Sequence, residues 1–88
     1  MHVEFYGVPR QRAGVSTVEI EAATLGQLLT SLASKIPSMR EFIRANGHGA
    51  RLDPAFVANL NGERFVSDPG TALGESDHLI ILSADAGG

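Results

Sequence analysis

Eighty-eight residues make one small domain that buries roughly 60 to 65% of its unfolded surface, too little for a large internal cofactor site. Hydrophobic content of 43% with 19% charged residues fits a soluble globular chain, and a formal charge of -3 argues against a nucleic-acid binder. The absence of cysteine removes disulfides, thiolate metal sites, iron-sulfur clusters and thiol nucleophiles together.

No apolar run approaches the roughly 18 residues of a membrane span. The start MHVEFYG has neither a charged leader nor an apolar signal core, which predicts a cytoplasmic protein. In "HVEFYG", Val3 and Phe5 alternate with His2, Glu4 and Tyr6, the pattern of a half-buried strand. "GVPRQRAG", with its proline and bracketing glycines, reads as a hairpin loop, and "VSTVEIEA" resumes alternation with Val18 and Ile20 inward.

A helix follows. Thr24 can cap it, Gln27 can reach back in a capping box, and Leu25, Leu28, Leu29, Leu32 and Ile36 form one apolar stripe. Pro37 ends it. "SMREFIRANG" reads as a second, shorter helical segment, with Ser38 as cap, Met39, Phe42 and Ile43 as its apolar side and Asn46-Gly47 as its stop. "HGARLDP" reads as loop and "AFVANL" as strand. Asn61-Gly62 is a strong hairpin signal that returns "ERFVS" antiparallel, and "TALGESD" is an irregular connection into the last strand, "HLIILS".

The order strand, strand, helix, strand, strand, strand predicts an α+β fold of the ubiquitin-like β-grasp type. Four to five strands form a mixed sheet, one main helix lies across one face, and the first and last strands are parallel neighbours at the centre. The β-grasp domain is expected over residues 1–83 and a flexible C-terminal tail over 84–88, leaving the sheet as a free arm. With Leu79 and Ile81 facing the helix, Ile80 and Leu82 point to the opposite face, which nothing in the chain is left to cover. Such a patch marks an interface, with Phe56 or Val57 nearby; those two point opposite ways and the sequence does not decide between them.

His2, His48 and His78 show no ligand spacing, so no metal site is expected. "NGHGA" lacks the lysine of a phosphate loop, and no elbow motif surrounds Ser16, Ser31 or Ser34. The pairs Arg10/Arg12 and Arg40/Arg44 read as solvated surface or as partner contacts.

The ending "ILSADAGG" is the most distinctive stretch. Two terminal glycines arise by chance in roughly 0.5% of chains, so the pair gains meaning only from the fold before it. "VEFYGVPRQRAG", the Thr-led leucine-rich "TLGQLLTSLASKIP", the hairpin "NLNGERF" and "LGESDHLIILSADAGG" together resemble the sulfur-carrier branch of the ubiquitin-like proteins, the ThiS/MoaD family. The resemblance runs over essentially the whole chain. Two features depart from molybdopterin-type members: "SADA" stands where a proline-containing segment is usual, and Ser76-Asp77 where Gly-Asp is usual. The ending is nearer that of the carrier serving cysteine synthesis.

The resemblance implies a protein cosubstrate or small non-catalytic subunit that binds no cofactor. Its reactive group would be the C-terminal carboxylate of Gly88, next to Gly87. A ThiF/MoeB-like adenylating enzyme would spend ATP to activate that carboxylate, and sulfur would convert it to a thiocarboxylate. An acceptor synthase, such as the large subunit of molybdopterin synthase, would take the sulfur, with cysteine and thiamine synthesis as further pathways. Glycines suit a narrow channel because they carry no side chain, while Ala84, Asp85 and Ala86 keep the arm slim and soluble. An alternative is a protein modifier joined through Gly88 to target lysines, although the single lysine, Lys35, leaves little scope for chains. A plain β-grasp interaction module with an idle tail is the third reading.

Overall fold

The computed structural model describes residues 1–46 and 49–87. Strands β1 (His2–Phe5), β2 (Thr17–Glu19), β5 (Phe56–Leu60), β6 (Arg64–Val66) and β7 (His78–Ser83) form one sheet in the order β2-β1-β7-β5-β6. β1 and β7 run parallel at its centre, and the other neighbours are antiparallel. Helix α2 (Leu25–Lys35) is the crossover that parallel pairing requires, because two parallel neighbours cannot be joined by a tight turn. This is the expected β-grasp arrangement. No helix among the described residues is long and apolar enough to cross a membrane.

The sheet has one dry face. Val3, Phe5, Leu79 and Ile81 from its two central strands meet Leu25, Leu28, Leu29 and Leu32 of α2, all essentially without exposure. Each such side chain contributes roughly 1.5–3 kcal/mol by leaving water. The helix begins where the side chains dictate. Thr24 Oγ1 accepts from the Gln27 N–H at 3.2 Å, while Gln27 Oε1 accepts from the N–H of Ala23 at 3.0 Å, one residue before the usual partner in a capping box. In the β5–β6 turn Asn61 and Gly62 take φ of 58° and 72°, the paired left-handed values of a tight hairpin.

Three local expectations are corrected. "GVPRQRAG" holds helix α1 (Val8–Ala13) rather than a loop. Pro9 in its first turn brings a preset φ, and Gly14 closes it in the left-handed conformation, its N–H donating to Arg10 O. The proline and the second glycine are therefore start and stop signals of a helix, and Pro9 is fully buried against the domain.

"SMREFIRANG" is a 3₁₀ turn over Pro37–Phe42 that passes straight into strand β3 (Ile43–Asn46). Ser38 does not cap it; its hydroxyl donates to Arg12 O at 2.6 Å and ties the segment to α1. The supposed loop "HGARLDP" contains β4 (Gly49–Leu52), which pairs with β3 as a separate two-stranded ribbon. Gly47 and His48 lie outside the described residues. Met39, Phe42 and Ile43 still turn toward the core, so the apolar assignment holds although the conformation differs.

Asp53 locks the exit from this ribbon. Its carboxylate accepts from the Ala55 N–H at 2.9 Å and pairs with the Arg44 guanidinium, and the two contacts, in that order, hold its pKa below the usual aspartate value. A lowered carboxylate pKa gives stability that is present above the unfolded value and is lost as pH falls through the folded one. The urea midpoint of Asp53→Ala is therefore expected to lie below that of the unaltered chain at neutral pH. The gap should narrow as pH falls below the ordinary carboxylate value and close once Asp53 is protonated in the folded chain; a gap independent of pH would contradict the assignment.

Candidate functional site

β7 positions everything the sequence singled out. It is flanked on both sides, so alternate residues must face opposite layers. Leu79 and Ile81 are fully buried under α2, and Ile80 and Leu82 stand half-buried on the open face. The register sets their neighbours: Leu82 lies opposite Val57 and Ile80 opposite Asn59 on β5, while on β1 Ile80 lies opposite Glu4.

The structure resolves the choice between Phe56 and Val57. Phe56 is 5% exposed and its ring stacks on Phe42 with centroids 4.5 Å apart, whereas Val57 is on the open face beside Leu82. Phe56 is thus a core residue that holds the end of β5 in place, opposite Ser83. Sequence reasoning missed Phe65: it lies opposite Asn59 on β6, is 55% exposed, and extends the apolar patch to the sheet edge. The signal was the odd-even pattern of "ERFVS", in which Val66 is buried and Phe65 therefore is not.

The other flank of this face is polar. The Tyr6 hydroxyl beside the Glu4 carboxylate, and then His78 Nε2 at 3.0 Å from it, hold the pKa of Glu4 below the ordinary value. Glu19 is likewise lowered, first by its hydrogen bond with His2 Nδ1 at 2.6 Å. The open face therefore has an apolar half, built from Ile80, Leu82, Val57 and Phe65, and a His/Glu half around His2, Glu4, Glu19 and His78.

The C-terminal segment leaves directly from the central strand. Over Ala84–Gly87 it forms one helical turn, α3, whose first N–H donates to Ala55 O at 2.8 Å. Asp85 is exposed in that turn. Gly88, the residue on which the expected chemistry turns, lies outside the described residues. The arginine pairs are spread apart: Arg44 is in β3 with Asp53, Arg40 Nε donates to Ala33 O, and Arg12 lies over the Phe42 ring at 5.6 Å. Lys35, the only lysine, donates to Glu19 O at 3.0 Å.

No family model matches the chain, and no curated protein matches it. Solved structures do. Small archaeal modifier protein 1 from Methanosarcina acetivorans matches with a TM-score of 0.77 at 21% identity, over 99% of this chain and 94% of that one. A chain of the Amycolatopsis orientalis BexX/CysO complex matches with a TM-score of 0.76 at 21% identity, over 99% and 98%. Small archaeal modifier protein 1 from Haloferax volcanii matches with a TM-score of 0.74 at 25% identity, over 99% and 97%. Agreement over nearly the full length of both chains leaves no major element unmatched. The chain is a ubiquitin-like β-grasp protein, the fold to which its ThiS/MoaD-like sequence pattern points.

Proposed function

We propose that the protein is a sulfur carrier that works through the C-terminal carboxylate of Gly88. The observation that carries this reading is the course of β7: the central strand of a β-grasp sheet runs without a break into Ala84–Gly87, beside an uncovered apolar face. The face gives an enzyme something to grip while the last residues enter its active site. A single helical turn has little stability of its own, so α3 can exchange its few backbone bonds for contacts with an enzyme channel.

The chemistry follows from the poor electrophilicity of a carboxylate. Gly88 oxygen attacks the α-phosphorus of ATP on a ThiF/MoeB-like enzyme, pyrophosphate leaves, and a mixed anhydride with AMP remains. The terminal sulfur of a persulfide donor attacks the acyl carbon and expels AMP. A thiol then cleaves the resulting acyl disulfide, becoming disulfide-bonded to the donor sulfur and releasing the thiocarboxylate. That group is the stronger nucleophile, and it supplies what a cysteine thiolate supplies elsewhere in a chain that has no cysteine.

The acceptor is a synthase that docks on the same face. The large subunit of molybdopterin synthase is the first to test, followed by acceptors in cysteine and thiamine synthesis. A modifier reading has one specific support, since three of the matched structures are of small archaeal modifier protein 1. Both readings share the adenylate and part at its fate.

Activation is tested by ATP–pyrophosphate exchange with the adenylating enzyme. Exchange that depends on added chain is expected, and its absence with an enzyme active on its own carrier would contradict the proposal. Transfer of the activated terminus to protein lysines, with none to sulfur, would favour the modifier.

A further inference from the structure

From the geometry we infer a binding site for a divalent late transition metal, of the Zn²⁺ class, formed by His2, Glu4 and His78 on the polar half of the open face. The parallel pairing of β1 with β7 sets His2 directly opposite His78, with ring centroids 4.8 Å apart. Glu4, two residues along β1, projects from the same face. One donor atom from each of the three lies within 4.8 Å of the others, and His78 Nε2 is already 3.0 Å from Glu4 Oε1. Among the described residues no other group of histidine and acidic side chains converges in this way.

Tetrahedral Zn²⁺ with ligands at about 2.0–2.2 Å needs donors about 3.3 Å apart. The His78–Glu4 pair meets that spacing. The remaining closure is a rotation of half-exposed side chains, 26% to 39% accessible, and requires no movement of the sheet.

Glu19 strengthens the assignment. Its carboxylate takes the Nδ1–H of His2, which fixes the tautomer whose free lone pair is on Nε2. A carboxylate behind a histidine is the usual support of a metal ligand, setting the ring's direction and raising its basicity. At His78 the incoming ion takes the place of the proton between Nε2 and Glu4, and the neutral ring keeps its one N–H on Nδ1. Two imidazoles and one carboxylate select zinc, copper or nickel over calcium or magnesium, and leave a coordination position for water. The site is at the start of β7, about 17 Å of extended strand from Ser83 at its other end, and so is separate from the C-terminal chemistry.

The test uses the full chain without a polyhistidine tag, titrated with Zn²⁺ by calorimetry and followed by the imidazole resonances in NMR. Saturable uptake of one equivalent is expected, with shifts at His2 and His78 and none at His48. His78→Gln should abolish uptake while keeping the circular dichroism of the folded chain, and Glu19→Gln, acting through the positioning of His2, should weaken it by about tenfold to a hundredfold. Absence of saturable uptake, shifts centred on His48, or uptake that survives His78→Gln would reduce the cluster to ordinary ion pairs. The resonances of the unaltered chain decide the matter even if His78→Gln does not fold.

Discussion

A chain lacking Gly87 and Gly88 is expected to fold as the full chain does and to accept no sulfur. The two parts of this result have separate causes. Among the described residues none beyond Ile81 belongs to the hydrophobic core, so the core described above does not depend on the last two glycines. The urea midpoint should therefore stay where it is. The carboxylate, however, would now belong to Ala86, two residues short of the position that the enzyme must reach. Misplacing a reacting atom by even about 1 Å can cost a hundredfold in rate, and two residues of extended chain amount to about 6.6 Å. Activation should fall to background. Pyrophosphate exchange on the truncated chain answers the question, and a rate equal to that of the full chain would mean that the glycines are an idle tail.

The second large effect concerns the open face. Replacing Leu82 with Asp places a charge in the apolar half of the patch, opposite Val57, without touching Leu79 or Ile81 beneath. An anchor at the centre of an interface typically contributes about 2 kcal/mol or more, so the Kd for the adenylating enzyme should rise about thirtyfold or more. Ile80→Asp should act in the same direction. It is the less clean variant, because position 80 lies opposite Glu4 and a second carboxylate there adds cross-strand repulsion. Circular dichroism of both variants should match that of the unaltered chain. Unchanged affinity in Leu82→Asp would remove the apolar half of the open face from the docking account.

The sequence expectations succeeded where one signal dominated. The leucine stripe of α2, the Thr24 cap, the alternation in "HVEFYG" and "HLIILS" and the Asn61-Gly62 turn each combine local preference with burial, and all four are present in the structure. They were enough to define the β-grasp plan. The failures share a physical origin in punctuation residues with two meanings. Pro9 and Gly14 bracket a helix as readily as they mark a loop, and α1 is only six residues long, too short for periodicity to outweigh them. β3 and β4 carry Arg44 and Arg51 in short segments whose pairing with each other, rather than their own alternation, makes them strands.

The site was legible in part. That Ile80 and Leu82 face away from Leu79 and Ile81 follows from strand parity alone. Which of Phe56 and Val57 joins them is hinted at by the alternation of "FVANL", where Val57 shares a face with polar Asn59, and the pairing of β5 with β7 settles it by setting Val57 opposite Leu82. The convergence of Glu4 with His78 was beyond reach: the two are 74 positions apart in sequence, and only the parallel pairing of the outermost strands of the chain brings them together.

The most direct test of the central claim is the mass of the C-terminal peptide after the full chain has been incubated with ATP, a persulfide donor, a thiol and the adenylating enzyme. The peptide must be read by itself, because exchange of oxygen for sulfur nearly matches a methionine oxidation in mass, and Met1 and Met39 are present in the intact chain. The account predicts one sulfur in place of one oxygen on Gly88, gained only when ATP is supplied. A terminal peptide that remains a plain carboxylate, with an enzyme that sulfurates its own carrier under the same conditions, would contradict it.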